Sequence, residues 1–258
     1  MSTIDNRTMG DAGVEQHSLA RSIILHLLPG VLILVFFLIT APLVERMRAP
    51  SMLAFLLAIT FVLIPFQLGY LLYEGRKRNG NLSLQGIVLY REPMRVWQYV
   101  ALGLPCLIWL FVIPFVVFPP IDNYLIEKFF SWLPDRIFFM AQFTENLDQY
   151  SLSSMLLVGI LQLVVGAVPG PLVEELYYRG YLLPRISRLG KWAPLINTVL
   201  FSLYHFTSLW QNPSRIIAFL PMVYAVWWKK NVYLGIIVHC ALIVFNSLGI
   251  LALFFTLV

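Results

Sequence analysis

Long apolar runs alternate with short polar segments along most of the chain. The runs cover residues 22–44, 51–73, 97–118, 151–168, 193–210, 215–228 and 232–258. A helix needs about 20 apolar residues to cross the hydrocarbon core of a bilayer, and most of the runs reach or approach that length. The sixth run is shorter and contains Pro221, so we expect a tilted or re-entrant helix there. The pattern predicts an all-α fold, a polytopic transmembrane helical bundle of about seven to eight spans.

Residues 119–150 interrupt this pattern. Trp, Phe and Ile are interleaved there with acidic residues, namely Asp122, Glu127, Asp135, Glu145 and Asp148. Such a mixture is typical of an amphipathic segment that lies against the lipid headgroups. We therefore expect an external amphipathic segment between the third and fourth spans.

The composition supports a membrane protein. A soluble domain contains about 25% charged residues, whereas this chain contains 12%, together with 59% hydrophobic residues and a mean hydropathy of +0.79. The net charge of +5 comes from basic residues that flank the apolar runs, so we expect membrane lipid and no nucleic acid as a partner. Cys106 and Cys240 both lie inside apolar runs, which argues against a disulfide framework and against a thiolate metal site.

The distribution of basic residues predicts the orientation in the membrane. Segments 74–96, 179–193 and 229–230 are basic, whereas 119–150 is acidic. Because cytoplasmic loops carry an excess of Lys and Arg, we expect a multi-pass protein of the bacterial cytoplasmic membrane with a cytoplasmic N-terminus. Arg46 and Arg48 would then lie on the external side of the membrane, in mild disagreement with this rule. A further broken helix would move the C-terminus from the external to the cytoplasmic side.

Residues 169–183 read P-G-P-L-V-E-E-L-Y-Y-R-G-Y-L-L. On a helix, Glu175 and Arg179 lie on one face in the acidic-before-basic order that favours an ion pair. Glu174 points about 100° away from Glu175, so one carboxylate is paired and the other is free. The simpler alternative is a helix end with charges solvated at the headgroups. The Pro-Gly-Pro sequence predicts either a kink or a helix that restarts at Pro171.

Two later runs contain one histidine each, His205 mid-way along the fifth and His239 near the start of the last. A single buried histidine is often only hydrogen-bonded across helices. Two histidines and a glutamate pair in an otherwise nearly uncharged interior instead predict a shared intramembrane polar cavity. Asn246 lies within about 20° of the helix face of His239, so we expect Asn246, and not Ile243, to face this cavity. An interhelical hydrogen bond is the alternative role for Asn246.

These residues resemble the motifs of the CPBP (CAAX protease and bacteriocin-processing, Abi) family of intramembrane proteases, which is similar to the type II CAAX prenyl endopeptidases. The segment E-E-L-Y-Y-R at 174–179 is similar to the family motif E-E-x-x-x-R, and F-S-L-Y-H at 201–205 to F-x-x-x-H. His239 is placed like the first residue of H-x-x-x-N, with Ile243 where that motif has Asn. The resemblance divides the chain into residues 1–150, with N-terminal spans and the external segment, and a CPBP-like catalytic core at 151–258.

The resemblance implies an intramembrane endopeptidase that hydrolyses a peptide bond of a membrane-associated or prenylated protein or peptide. It implies that Glu174 activates a water, that His205 positions this water, and that His239 stabilises the oxyanion, with Asn246 in place of the missing Asn. Glu175 and Arg179 would support the structure.

The resemblance leaves the catalytic type open between a metallo- and a glutamate-type peptidase. Two His and carboxylates could ligate Zn²⁺, and Glu174, His205 and His239 would then be the ligands. No H-E-x-x-H sequence is present, so a glutamate–water site with no certain cofactor is favoured.

Two other functions stay open. Ile243 in the place of Asn favours a non-proteolytic scaffold or a bacteriocin immunity protein of the same fold. Proline-broken helices and intramembrane acids are also found in small transporters, although the two halves of this chain show no repeat. A prenylated CAAX protein, a bacteriocin leader peptide and a membrane-protein segment all fit as substrates.

Overall fold

The computed structural model describes residues 13–255, whose regular elements are all helical. The α-helices are α1 (Leu19–Arg46), α2 (Ser51–Ala58), α3 (Ile64–Asn79), α4 (Val96–Val112), α5 (Pro119–Leu125), α6 (Phe139–Glu145), α7 (Leu152–Leu161), α8 (Pro169–Glu175), α9 (Ala193–Leu203), α10 (Asn212–Lys229) and α11 (Val232–Phe255). π-helical turns follow α2, α4, α5, α7 and α8 at Ile59–Leu63, Ile113–Val117, Ile126–Phe130, Gln162–Gly166 and Leu176–Leu182. 3₁₀ segments cover Asp135–Phe138, Leu147–Gln149, Leu183–Trp192 and Phe206–Gln211. The predicted all-α class is confirmed.

Five helical stretches of the described chain are long and apolar enough to cross a membrane: Leu19–Arg46, Ser51–Asn79, Val96–Val117, Leu152–Leu203 and Val232–Ala252. The chain is therefore a polytopic helical bundle, as predicted. The stretch Leu152–Leu203 contains the predicted fourth span and most of the fifth. The predicted sixth span corresponds to α10, whose ends contain the polar residues Asn212, Arg215 and Lys229. Residues 1–12 and the last three residues of the final predicted span lie outside the described part.

One end of the bundle gathers the basic connecting segments. The backbone N–H of Leu89 donates to the Gly180 carbonyl, and that of Val232 to the Tyr90 carbonyl, at 2.7 Å each. The segment before α1 docks on the same end, where the backbone N–H of His17 donates to the carbonyl of Arg185 at 2.8 Å. We call residues 14–18, 76–95, 180–191 and 229–231 the basic end.

The opposite end is built on the segment between α4 and α7. Phe139 of α6 stacks on Phe55 of α2 with ring centroids 4.7 Å apart, and Arg136 pairs with Glu45 at 3.5 Å. The 3₁₀ segment Phe206–Gln211 packs on the one at Asp135–Phe138. The predicted amphipathic segment thus turns aromatic side chains into the bundle. We call residues 45–51, 119–150 and 206–211 the distal end.

The fifth predicted run is not one helix, because α9 ends at Leu203. His205 lies beyond that end with φ −78° and ψ 65°, and the Phe206 N–H donates to the Tyr204 carbonyl at 2.9 Å. These values describe an inverse γ-turn centred on His205. A Cβ on Gly30 of α1 would overlap the Tyr204 carbonyl, so the absence of a side chain lets this turn approach α1. The prediction that His205 lies mid-way along a helix is wrong.

Candidate active site

A cavity with about 180 Å³ of space open to water is lined by α1, α2, α6, α8, α11, the π-helical turns after α2 and α7, and the segment after α9. One water needs only about 10–15 Å³ of such space, so the cavity has room for several. Most of its wall is apolar. Among its polar lining residues are Gln162, Glu174, His205, Thr207, His239 and Asn246. The structure therefore brings the four predicted catalytic residues to one cavity, although they come from three separate elements.

Glu174 reaches the cavity because the helix breaks and restarts just before it. Val168 has φ −124° and ψ −58°, and α8 begins at Pro169, where the missing N–H of proline costs no hydrogen bond. The helix therefore restarts at Pro169, two residues before Pro171, where the sequence predicted a kink or a restart. Glu174 is 8% exposed, and its Oε2 lies 3.9 Å from Nε2 of His239.

Glu175 is completely buried and contacts two partners. Its Oε1 lies 3.3 Å from Nη1 of Arg179 and 3.0 Å from Nδ1 of His239. The contact with Arg179 is the one predicted from the spacing on the helix. The contact with His239 was not predicted, because it joins helices that are distant in sequence. Gly235, one turn before His239, makes room for it: a Cβ there would lie 2.5 Å from Oε2 of Glu175.

Arg179 is buried with no exposed side-chain surface. Its guanidinium carbon lies 3.8 Å from the centre of the Phe201 ring, a geometry in which the ring face attracts the cation. Among the described residues, no guanidinium nitrogen of Arg179 makes a well-aligned hydrogen bond. The charge of Glu175 and the face of Phe201 are therefore the main compensation for burying this cation.

The hydrogen bond of His205 defines its tautomer. Nδ1 of His205 lies 2.9 Å from the carbonyl oxygen of Phe201, and a carbonyl only accepts, so Nδ1 carries the proton. In a neutral imidazole Nε2 is then an acceptor. The half-buried His205 ring lines the cavity and can offer this acceptor to a water.

His239 is oriented by Glu175 in a similar way. As the ion-pair partner of Arg179, Glu175 is an ionised carboxylate, so it accepts the Nδ1 proton of His239. A carboxylate that holds one side of an imidazole orients the ring. Nε2 of His239 is left on the side of Glu174.

Ile243 and Asn246 both line the cavity. The expectation that Asn246 faces the site while Ile243 does not is therefore wrong in its second part. Positions i, i+4 and i+7 form one continuous stripe on a helix, so α11 presents His239, Ile243 and Asn246 to the same space.

Sequence reasoning missed Gln162, a further cavity residue, whose Nε2 donates to Oγ of Ser247 at 3.1 Å. A buried amide inside an apolar run was the available signal.

The residues present do not fit the zinc site that the sequence left open, with Glu174, His205 and His239 as ligands. Within residues 13–255, no group of three or more His, Cys, Asp or Glu side chains is arranged to hold a metal ion. Glu174, His205 and His239 share the cavity without forming a ligand cluster.

Residues 155–245 match the protein family described as type II CAAX prenyl endopeptidase Rce1-like. The match covers less than half of the chain. It includes Glu174, Glu175, Arg179, His205 and His239 and ends one residue before Asn246. It confirms the resemblance to the CPBP-family intramembrane proteases. No curated protein and no solved structure matches the chain.

We predict that Gly235→Ala lowers the thermal unfolding midpoint of the detergent-purified protein, because the new Cβ would displace the buried carboxylate of Glu175. Overpacking of this kind typically costs about 1–3 kcal/mol, more than the roughly 1 kcal/mol that Ala gains over Gly in a helix. The matched control is Gly249→Ala on the same helix, where an added Cβ meets no atom of the described chain within 4 Å. An unchanged midpoint in Gly235→Ala would contradict the close approach of Glu175 to α11.

Proposed function

We propose that this chain, whose residues 155–245 match the Rce1-like family, is an intramembrane endopeptidase that hydrolyses a peptide bond of a membrane-associated or prenylated substrate. The family supports a CAAX-type intramembrane endopeptidase in general. The observation that carries the proposal is that Glu174, His205 and His239 line one cavity from three separate elements. A cavity with room for water, an apolar wall and a few convergent polar groups is what peptide hydrolysis inside a membrane requires.

Glu174 is the general base in this proposal. Its carboxylate takes a proton from a cavity water, and the water oxygen attacks the carbonyl carbon of the scissile bond. Nε2 of His205 accepts a hydrogen bond from the other O–H of the water, which keeps that hydrogen, and so directs the attack. As the C–N bond breaks, Glu174 returns its proton to the leaving amine, so the proton count closes. General acid–base catalysis of this kind typically contributes about 10²–10⁴-fold.

His239 and Asn246 stabilise the tetrahedral intermediate. In this proposal the oxyanion accepts a hydrogen bond from Nε2 of His239, which acts as an imidazolium whose Nδ1 is held by the Glu175 carboxylate. The Asn246 side-chain amide is a second donor that lines the cavity. Loss of one oxyanion donor typically lowers turnover by about 10²–10³-fold.

A non-proteolytic scaffold or immunity protein is the second candidate. One observation favours it: Ile243 lines the cavity at the position where the family motif has Asn, and it has no hydrogen-bond donor. A fold that keeps the glutamates but lacks this donor would bind a peptide without cleaving it.

We predict that Glu174→Gln and His205→Ala each abolish cleavage of a membrane-embedded peptide substrate while the protein remains folded. Both side chains act on the attacking water, whereas neither belongs to the Glu175–Arg179 pair. The measurement is cleavage by purified protein in liposomes, with the thermal unfolding midpoint as the control for folding. Normal cleavage by either variant would rule out the assigned roles.

We predict that Asn246→Ala lowers turnover by about 10²-fold because it removes an oxyanion donor, and that His239→Ala lowers it further. The companion variant Ile243→Asn restores the donor at the family position. If Asn246→Ala leaves cleavage unchanged while Ile243→Asn raises it, Asn246 does not replace the missing residue and the chain is an attenuated enzyme or a scaffold.

A further inference from the structure

We propose that the side-chain carbonyl of Gln162 binds a main-chain N–H of the substrate peptide, about three or four residues from the scissile bond. This role presupposes the proposed peptidase function and adds a substrate contact to the same cavity. Three features of the molecule support it: the fixed orientation of the Gln162 amide, the free acceptor that this orientation leaves at the cavity wall, and the distance of that acceptor from the catalytic groups.

The amide of Gln162 is held in one orientation by Ser247. Oγ of Ser247 donates its hydrogen to the backbone carbonyl of Ile243 at 2.7 Å. Because a hydroxyl has one hydrogen and a carbonyl only accepts, Oγ of Ser247 is left as an acceptor toward Gln162. The atom of Gln162 that lies 3.1 Å from this Oγ is therefore the donor Nε2. Oε1 consequently points away from Ser247.

Gly166 gives the amide its place against the cavity wall. Gln162 begins the π-helical turn Gln162–Gly166, and both residues line the cavity. A Cβ on Gly166 would lie 2.8 Å from Oε1 of Gln162, so the absence of a side chain lets the amide fold back over its own helix. Oε1 is thus kept beside a part of the wall that has no side chain.

Oε1 of Gln162 is a free acceptor at this wall. Within the described part of the chain, the hydrogen bond to Ser247 is the only one that the side chain of Gln162 makes, and it uses Nε2. Oε1 is not among the polar atoms that are closed off without a partner, although the residue as a whole is only 8% exposed. A carbonyl oxygen in a mostly apolar wall is costly without a partner, so it is a site for a donor that enters the cavity.

A main-chain N–H is the donor that suits this oxygen. A peptide in an apolar cavity has lost the water that satisfied its N–H groups, and each unpaired N–H is costly. Gly166 and Gly170 line the cavity without side chains, so an extended chain can approach closely there. Ile59 and Ile243 line it as well and offer no further polar contact to a charged side chain. The contact with Gln162 would therefore recognise the peptide backbone and not a particular side chain.

The distance to the catalytic groups sets the register of this contact. Ser247 follows His239 by eight residues on α11, a rise of about 12 Å. The helices that contain Gln162 and Glu174 run antiparallel to α11, because Gln162 contacts Ser247 whereas Glu175 contacts His239. Gln162 therefore lies about 12 Å from the catalytic groups along the cavity. An extended chain rises about 3.3 Å per residue, which places the bound N–H about three or four residues from the scissile bond.

The test replaces single N–H groups of the substrate. Purified protein in liposomes cleaves a single-span reporter peptide, and mass spectrometry locates the scissile bond. In a series of otherwise identical reporters, one amide is replaced by an ester at each position up to six residues from this bond on either side. An ester keeps the side chain and removes the N–H. We expect the ester three or four residues away, on one side, to lower kcat/KM by about tenfold, and the esters six residues away to have no effect.

Gln162→Met removes the acceptor and keeps a similar side-chain volume. We expect this variant to cleave the all-amide reporter with about tenfold lower kcat/KM and to lose no more with the ester at the sensitive position. The ratio of the two reporters does not depend on the amount of active protein, so a loss of stability does not imitate this result. The matched control is Gln67→Met, because Gln67 of α3 is a completely buried amide that is not among the described residues lining the cavity. We expect it to keep the ratio of the parent protein.

Two results would overturn the role of Gln162. The first is equal cleavage of the all-amide reporter and of every ester reporter by the parent protein, a result that requires no variant to fold. The second is a ratio in Gln162→Met that is the same as in the parent protein.

Binding of the same reporters separates this role from peptidase activity. Fluorescent all-amide and ester reporters are titrated in liposomes against Glu174→Gln, alone and combined with Gln162→Met. Ester-sensitive binding that depends on Gln162, together with no cleavage by the parent protein, would contradict the proposed function and leave the N–H site intact. Cleavage by the parent protein with binding that ignores every ester would overturn the N–H site and leave the proposed function intact. A protein that neither binds nor cleaves any reporter would contradict both.

Discussion

The buried contact of Glu175 with Arg179 and His239 is the constraint on which the rest of the site depends. An unpaired charge in an interior without water costs several kcal/mol, and Glu175 and Arg179 both have no exposed side-chain surface. They are tolerated because each lies within reach of the other, because Phe201 faces the cation, and because Gly235 leaves space for the carboxylate. The helix that follows Pro169 and the first turns of α11 must therefore keep one relative position.

This constraint separates the roles of the two adjacent glutamates. Glu175 is committed to Arg179 and His239, whereas Glu174 lies on another face of the helix and lines the cavity. Tyr178 and Phe201 face the guanidinium of Arg179, and the ion pair has no exposed side-chain surface, so it is separated from solvent. An acid that holds a histidine in place and a second acid that lines the cavity are the parts that the proposed glutamate-type hydrolase needs.

The sequence predicts what depends on local pattern and composition. The apolar runs predicted the bundle, and the i,i+4 spacing predicted the contact of Glu175 with Arg179. The sequence could not predict features that depend on packing between helices that are distant along the chain. The end of α9 at Leu203 depends on the approach of the Tyr204 carbonyl to Gly30, and the contact of His239 with Glu175 depends on Gly235. The division of the chain at residue 150 stays a prediction.

A double-mutant cycle on the buried pair tests the central claim most directly. The thermal unfolding of purified Glu175→Gln, Arg179→Met and the double variant would be compared with that of the parent protein. Each single variant leaves a buried charge unpaired, so we predict a loss of about 3–5 kcal/mol for each, and a smaller loss in the double variant than the sum of the two. If the single variants melt like the parent protein while losing cleavage, the pair is part of the chemistry and does not hold the site together.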